Sequence, residues 1–345
     1  MSRWTALIAL LCVSVSTVAG AQTVVTVGVA SSVSDAPIYI GQKKGFFRDE
    51  GLDVRTEVFN SAANMVVPLG AGQLDVGGGA PSAGLYNAIS RGIRLKIVAD
   101  KASSQPGYGV NRLLVRKALV DSGRYKTPAD LKGMKIAQSG VGVSSMTTLN
   151  EIIKPHGVKY SDIQTIDIAF PQQVIALQNG AIDGALTTDP SSMLAVNSGA
   201  AVVIKADDEI IPRHQIAVLL YSEQFAETRP EIARKFMRAY LRAVRVYNDA
   251  LKDSRFKGPT APEVTAILQE MTTVKDPALY EGITPVGNDP NGYVNMESLR
   301  HDLDFFREQD LVKEDVDLKK VVDLSFVEAA LKDLGPFKPA TASAK

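Results

Sequence analysis

An internal repeat constrains the fold of this chain more than any other sequence feature. Residues 69–77 read LGAGQLDVG and residues 177–185 read LQNGAIDGA, so leucine, glycine, an aliphatic residue and aspartate recur in the same order. In each copy the pattern predicts a helix that ends at glycine, a turn, and a buried strand of small residues. Pro81-Ser82 and Pro190-Ser191 follow the two copies and predict the start of the next helix. The repeat therefore indicates two similar units.

Short runs rich in valine and isoleucine alternate with helical patterns along the chain, which is typical of βαβ units and parallel sheets. We predict strands at residues 24–30, 52–59, 74–77, 95–99, 134–138, 163–169, 184–187 and 201–204. Each copy of the repeat enters the third strand of its own run. The fold class is therefore α/β, with two doubly wound lobes.

The order of these elements predicts the domain boundaries. Residues 22–112 begin the first lobe, residues 113–215 form the second, and residues 216–335 return to complete the first lobe. The returning part is helical, with helices expected at 230–251, 262–271, 296–308 and 325–334, and residues 336–345 read as a flexible tail. The apolar segments 109–115 and 216–221 are placed to carry the chain between the lobes, and either hinge segments or ordinary sheet strands fit them.

The N-terminus has the pattern of a secretory signal peptide over residues 1–21. Arg3 precedes an apolar run that is too short to span a bilayer, and Ala19-Gly20-Ala21 fits a cleavage site. A retained anchor is the alternative, but Ser14, Ser16 and Thr17 interrupt the apolar run. Because Cys12, the only cysteine, would leave with this segment, we expect a periplasmic protein without disulfides, cysteine nucleophiles or cysteine metal ligands.

Charge and motif content disfavour several classes of function. The chain has 38 basic and 38 acidic residues, which gives no reason to expect binding to nucleic acid or an anionic membrane. His156, His214 and His301 are widely separated and lack metal-ligand spacing. No GxSxG, P-loop or HExxH pattern occurs. We therefore expect no catalytic residues, no metal, no cofactor and no enzymatic activity.

Polar loops follow most of the predicted strands. In a doubly wound sheet, ligands bind beyond the carboxyl ends of the strands, where unpaired backbone N–H groups face outward. The glycine-rich loop 139–147 precedes a helix and is a candidate anion site, although a simple turn with an N-cap also fits it. Asp189 fits a helix cap or a ligand contact, Phe170 a cleft wall or a core residue, and His214 a ligand contact or an exposed loop histidine.

Three stretches carry a resemblance to a known family: APIYIGQKKGFFRDEGLDV at 36–54, GQLDVG at 72–77 and DLKGMKIA at 130–137. The chain resembles the ABC-transporter periplasmic substrate-binding proteins that take up nitrate, sulfonates, taurine and pyrimidine precursors of thiamine. The resemblance implies a periplasmic-binding-protein fold, two lobes joined by a two-segment hinge, and capture of a small molecule by hinge closure. It also implies a monomer whose partners are an ABC permease and, through it, an ATPase.

The resemblance and the strand ends together give the candidate ligand-binding residues. They are Ser34, Asp35, Ala36, Pro37, Ser61, Ala62, Gly79, Ala80, Pro81, Ser82, Gly142, Val143, Ser144, Ser145, Thr147, Phe170, Thr188, Asp189 and His214. Basic residues are absent from these loops apart from His214, and Lys101, Arg112 and Arg213 are the other cations placed near them. An anion would then be held by helix N-termini and hydroxyl groups, so a small sulfonate or carboxylate is the expected ligand.

Three alternatives to this function stay open. A pyrimidine or other aromatic solute would need an aromatic sandwich, but Trp4 lies in the predicted signal peptide, so the sandwich would depend on Tyr39, Tyr86, Tyr108 or Phe170. A periplasmic sensor subunit would use the same cleft. An enzyme similar to pyrimidine-precursor synthases would need a cysteine-rich motif, which residues 22–345 lack.

Overall fold

The computed structural model describes residues 22–59, 62–272 and 274–339. The predicted signal peptide with Trp4 and Cys12, the candidate site residue Ser61, and the end of the predicted tail lie outside the described residues. Within the described ranges, no helix combines the length and the apolar character that a membrane span requires.

Twelve strands lie in the described residues, and they include the eight that the valine- and isoleucine-rich runs predict, with differences of up to five residues at their ends. They are β1 Thr23–Val29, β2 Leu52–Val58, β3 Val76–Gly79, β4 Leu95–Ser104, β5 Arg112–Arg116, β6 Lys135–Gln138, β7 Gln164–Asp167, β8 Gly184–Thr187, β9 Ala201–Ala206, β10 His214–Ser222, β11 Leu251–Lys252 and β12 Arg255–Phe256. The last two form a short hairpin that the sequence patterns did not predict.

The helices lie between the strands and then dominate the C-terminal third. They are α1 Ala36–Lys43, α2 Phe46–Asp49, α3 Val66–Gly70, α4 Ala83–Ser90, α5 Lys117–Asp121, α6 Ser144–Ile153, α7 Phe170–Gln178, α8 Ser191–Asn197, α9 Glu223–Thr228, α10 Pro230–Asp249, α11 Ala261–Met271, α12 Pro277–Gly282, α13 Met296–Glu308, α14 Leu318–Val321 and α15 Ser325–Leu334. The predicted helices 296–308 and 325–334 are confirmed without change of bounds.

Two five-stranded sheets define two lobes with the same strand order. The first lobe contains β2-β1-β3-β10-β4 and the second contains β7-β6-β8-β5-β9. Four strands of each sheet run in the same direction, whereas β10 and β5, in equivalent positions, run antiparallel to both neighbours. The sheets are thus mixed rather than parallel, because β5 and β10 enter their sheets directly from the other lobe.

The repeated aspartates make the same contacts in both lobes. The Asp75 backbone N–H donates to the Thr26 carbonyl at 3.1 Å, and its carboxylate accepts from the Thr26 N–H at 3.0 Å. The Asp183 N–H donates to the Lys135 carbonyl at 2.8 Å, and its carboxylate accepts from the Lys135 N–H at 3.0 Å. Each aspartate therefore ties the turn before the third strand to the first strand of its sheet.

The chain passes between the sheets at residues 105–111 and 207–213. Asp207 joins the two crossings, since its carboxylate accepts from the backbone N–H groups of Val110 at 2.9 Å and Asn111 at 3.1 Å. Residues 112–115 and 216–221 of the two hinge candidates belong to β5 and β10, so the interpretation of those residues as ordinary sheet strands is the one that fits.

The long helix α10 closes one face of the first sheet. Phe236, Ala239, Ala243 and Tyr247 lie on one face of this helix and are all at most 1% exposed, while Ile232 on the same face is half-buried. The ring of Phe236 stacks on that of Phe47 with centroids 4.9 Å apart. The C-terminal helical region therefore packs into the core of the first lobe.

Candidate functional site

A cavity of about 440 Å³ lies between the two sheets, at the ends of the strands that face the opposite lobe. Its lining comes from both lobes, including residues 109–111 of the first crossing, Arg112 at the start of β5, and residues 283–286 between α12 and α13. The volume falls in the range of about 300–1,000 Å³ that is usual for small-molecule sites. The location matches the rule that ligands of α/β sheets bind beyond strand ends.

The structure brings eight of the candidate site residues to this cavity. They are Ser34, Ala80, Val143, Ser144, Ser145, Phe170, Thr188 and Asp189. Other candidates are absent from the described lining, namely Asp35, Ala36, Pro37, Gly79, Pro81, Ser82, Gly142, Thr147 and His214. Ala62 begins a short turn, Ala62–Met65.

The N-terminus of α6 supplies hydrogen-bond donors to the cavity. Ser144 Oγ accepts from Asn111 Nδ2 at 3.1 Å, which leaves the Ser144 hydroxyl proton free to donate. Ser145 is 3% exposed, and its buried hydroxyl has no hydrogen-bond partner among the described residues. The first N–H groups of a helix also lack intrahelical acceptors and carry partial positive charge. An acceptor group of a ligand, above all an anion, fits this end of the cavity.

The charged side chains of the described lining are Arg112 and Asp189, and they pair with each other. The guanidinium Nη1 lies 2.6 Å from Asp189 Oδ2, and Arg112 also donates to Ser192 Oγ at 3.0 Å. Asp189 Oδ2 accepts from the Thr284 backbone N–H at 2.7 Å, and Oδ1 accepts from the Met193 N–H at 3.2 Å and from the Ser192 hydroxyl. Asp189 therefore links the start of α8 to a segment of the first lobe.

A second ion pair lies directly behind the cavity wall. Lys101 Nζ is 2.9 Å from Asp35 Oδ1 and donates to Ser34 Oγ at 2.8 Å. Lys101 and Asp35 are only 5% and 1% exposed. The other oxygen of Asp35 accepts from the N–H groups of Ala30 and Ser32, both at 3.0 Å. Asp35 therefore shapes the loop that presents Ser34.

His214 is fully buried at the start of β10, so the alternative of an exposed loop histidine is wrong. Its Nε2 lies 2.9 Å from Asp302 Oδ1, and its Nδ1 lies 3.7 Å from Asp207 Oδ2 and 3.5 Å from Thr148 Oγ1. Burial alone would lower the pKa of His214, but the charge of Asp302 and hydrogen bonds to Asp207 and Asp302 raise it to about 10. His214 joins the hinge crossing to α13.

Two parts of the lining were missed by the sequence patterns. Residues 283–286 lie in a connection between helices, far from any strand end, and Asn111 precedes a strand instead of following one. Arg112 was identified only as a nearby cation. Pro285 within an apolar run is the one sequence signal of an ordered connection at 283–286.

The next feature of the site is where metal-ligating side chains and histidines lie relative to the cavity. In the part of the chain that the structure describes, no group of three or more histidine, cysteine, aspartate or glutamate residues could hold a metal ion. The three histidines are not among the residues that line the described cavity. Its chemistry is that of hydroxyl and backbone donors set in an apolar wall.

The lobes touch on both sides of the cavity. On one side the Ala83 N–H of the first lobe donates to the Gly142 carbonyl of the second at 2.8 Å. On the other side Asp189 of the second lobe accepts from Thr284 of the first. Residues of the two lobes are therefore in direct contact on both sides of the cavity.

Comparison with known proteins identifies relatives of two kinds. The 4-amino-5-hydroxymethyl-2-methylpyrimidine phosphate synthase of Aspergillus parasiticus is 27% identical over 225 residues, which cover 60% of this chain and 61% of that protein. The taurine-binding periplasmic protein of Escherichia coli is 26% identical over 268 residues, which cover 75% of this chain and 78% of that protein. The chain spans less than two thirds of the length of the first curated relatives that it matches.

A solved structure and a family model identify the fold and the family of the chain. The periplasmic aliphatic sulphonate binding protein of Escherichia coli superposes with a TM-score of 0.69 at 19% identity, covering 93% of this chain and 94% of that one. The expected periplasmic-binding-protein fold is confirmed. The sequence model of the NMT1-like family matches residues 19–256, which is more than half of the chain. The chain belongs to the NMT1-like family.

Proposed function

We propose that this protein is the periplasmic solute-binding component of an ABC importer, and that it captures a small organic anion, a sulfonate or a carboxylate, and delivers it to a permease. The observation that carries the proposal is the unpartnered Ser145 hydroxyl beside the free donor of Ser144, both on the cavity wall at the start of α6. An anionic head group would accept these hydrogen bonds together with those of the helix N-terminus.

The rest of the cavity favours an organic ligand over an inorganic ion. Val33, Phe170, Ile216 and Val286 contribute apolar walls around the hydroxyl-rich end. Such walls stabilise an apolar ligand body by removing it from water, at about 25 cal/mol per Å². A nitrate ion would leave most of the 440 Å³ unfilled. The name of the sulphonate-binding neighbour agrees with this ligand class.

Capture follows from the two-lobed lining. Ser34 and Ala80 belong to the first lobe and Ser144 and Phe170 to the second, so a ligand makes its full set of contacts only when the lobes are closed. A ligand shifts the equilibrium between open and closed states by its difference in affinity for them. The closed form is then the one that the permease recognises, with the binding protein acting as a monomer.

We also propose that the protein is not an enzyme, although the synthase from Aspergillus parasiticus is among its relatives. The absence of cysteine from residues 22–345 and the burial of His214 away from the cavity support this view. Conversion of any panel compound with catalytic turnover by the purified protein would contradict it.

A thermal-shift screen of ligand-free protein tests the proposed function. The panel contains alkanesulfonates, carboxylates, nitrate, pyrimidines and amino acids. A ligand present at 1,000 times its Kd stabilises the folded state by about 4 kcal/mol. We expect a shift of several degrees with sulfonates or carboxylates and none with nitrate. A shift produced only by pyrimidines, or no shift with either anion class, would refute the organic-anion proposal.

A further inference from the structure

The acidic side chain of the described lining, Asp189, is fully engaged by the protein. Asp189 accepts from Arg112, Ser192, Met193 and Thr284, so each of its oxygens already has two donors. Asp35, behind the wall, is paired with Lys101 on one oxygen and accepts backbone N–H groups on the other. Asp189 therefore has no oxygen to offer to a ligand without loss of an existing contact, and Asp35 is absent from the described lining.

No other acidic side chain is present in the described lining. The remaining acceptors there are neutral hydroxyl, amide and carbonyl oxygens. Phe170 supplies the one aromatic ring of that lining, and a single cation–π contact with a phenyl ring contributes only about 0.5–2 kcal/mol. An ammonium group that enters the cavity would therefore lose its water shell without gaining a counter-charge.

We infer that the site selects anions that carry no ammonium group, and that Asp189, held by Arg112 and Thr284, is the residue that sets this selectivity. The inference rests on the proposed function and narrows its ligand class to amine-free organic anions. Breaking the Arg112–Asp189 pair to serve a ligand amine would leave a buried guanidinium unpaired, which adds to the cost.

Matched pairs of ligands test this selectivity on the wild-type protein. Ethanesulfonate is compared with 2-aminoethanesulfonate, and propanoate with 3-aminopropanoate, by isothermal titration calorimetry. Within each pair the anion and chain length are the same, so the ratio of Kd values reports the amine alone. We expect the amine-free member to bind about 100-fold more tightly, the cost of leaving a buried charged donor unpaired.

The comparison of ligand pairs distinguishes failure of the amine selectivity from failure of the proposed function. Equal or tighter binding of the amine-bearing member overturns the selectivity and leaves the proposed organic-anion function intact. Failure of both members of both pairs to bind overturns the proposed function, and the selectivity with it.

The variant Arg112→Gln tests the role of Asp189. It removes the cation that neutralises Asp189, so the carboxylate becomes available to an ammonium group, and we expect the amine-free preference to fall at least about tenfold. Arg116→Gln is the matched control, because Arg116 pairs with Asp183 at 3.4 Å and is absent from the described lining. If folded Arg112→Gln keeps the wild-type ratio of Kd values within each pair, Asp189 does not set the selectivity. If that variant does not fold, the wild-type pairs still decide the selectivity.

Discussion

The Gly142 carbonyl of the second lobe accepts a hydrogen bond from the Ala83 N–H of the first lobe, with nitrogen and oxygen 2.8 Å apart. Gly142 has φ +71°, and a Cβ built on it would lie 2.6 Å from the Cβ of Ala83. Backbone conformation and space therefore both require glycine here. Gly142 contributes to the contact between the lobes and is absent from the described cavity lining.

Gly142→Ala should weaken ligand binding by holding the lobes apart. We expect about a tenfold rise in Kd and a larger radius of gyration for the liganded protein, with a stability loss of about 1–2 kcal/mol from the positive φ. Calorimetry and small-angle X-ray scattering measure these effects. Gly140→Ala is the control in the same loop, since a Cβ there meets nothing within 4 Å. Equal ligand affinity of the two variants would show that Gly142 has no role in bringing the lobes together.

Ser145→Ala should reduce affinity without harming the fold. Loss of one hydrogen bond to an anionic head group costs about 1.5–3 kcal/mol, so we expect a rise in Kd of roughly tenfold or more. Thr147→Val is the control, because the Thr147 hydroxyl is also buried without a partner among the described residues but is absent from the described cavity lining. A larger effect of Thr147→Val than of Ser145→Ala would relocate the anion site.

Asp75→Ala and Asp183→Ala should each destabilise one lobe while leaving affinity unchanged. Each substitution leaves a backbone N–H, of Thr26 or Lys135, without its acceptor, at a cost of about 1–3 kcal/mol in the free energy of unfolding. Chemical denaturation measures this cost. Asp53→Ala, which removes only an exposed ion pair with Arg55, should change stability by less than about 1 kcal/mol. Selective loss of binding in either repeat variant would contradict a structural role.

His214 should make stability fall as the solution becomes alkaline. Its pKa is raised from the usual 6.5 to about 10, so the folded state keeps a proton that the unfolded state releases. The stability contributed by His214 is complete below pH 6.5 and is lost as the pH rises through about 10. Between pH 7 and 10 we expect unfolding free energy to fall by several kcal/mol more in wild type than in His214→Gln. The exposed His156→Gln should keep the wild-type slope, and identical slopes in all three proteins would exclude a charged His214.

The sequence predicted the lobes well because their signals are local. Alternating apolar runs, and the glycine and aspartate of each repeat, are fixed by contacts within one lobe, such as Asp183 with Lys135. β4 extends to Ser104, beyond the predicted 95–99, because polar residues continue the strand. Gln215 pairs with Ser103 along β10 and donates to Asp100, so these groups are satisfied when buried. These hydrogen bonds join residues more than 100 positions apart in the sequence. A local sequence pattern therefore does not reveal them.

The site was predictable only in part for the same reason. The strand-end rule found Ser34, Ser144, Ser145 and Asp189, which follow strands and begin helices. It could not find residues 283–286, which reach the cavity through Asp189 and the Thr284 backbone. It also could not separate Thr147 from Ser145, since the turn of a helix decides which of two neighbouring hydroxyls points at the ligand.

The insertion of β10 between β3 and β4 determines the order in which the two sheets can be completed during synthesis. All strands of the second sheet lie within residues 112–206, whereas the first sheet lacks an inner strand until residues 214–222 arrive. During synthesis the second lobe can complete its sheet while β3 and β4 still expose unpaired edges. The N-terminal half of the first lobe is therefore the part of the nascent chain most exposed to aggregation, and the one that chaperones would be expected to protect.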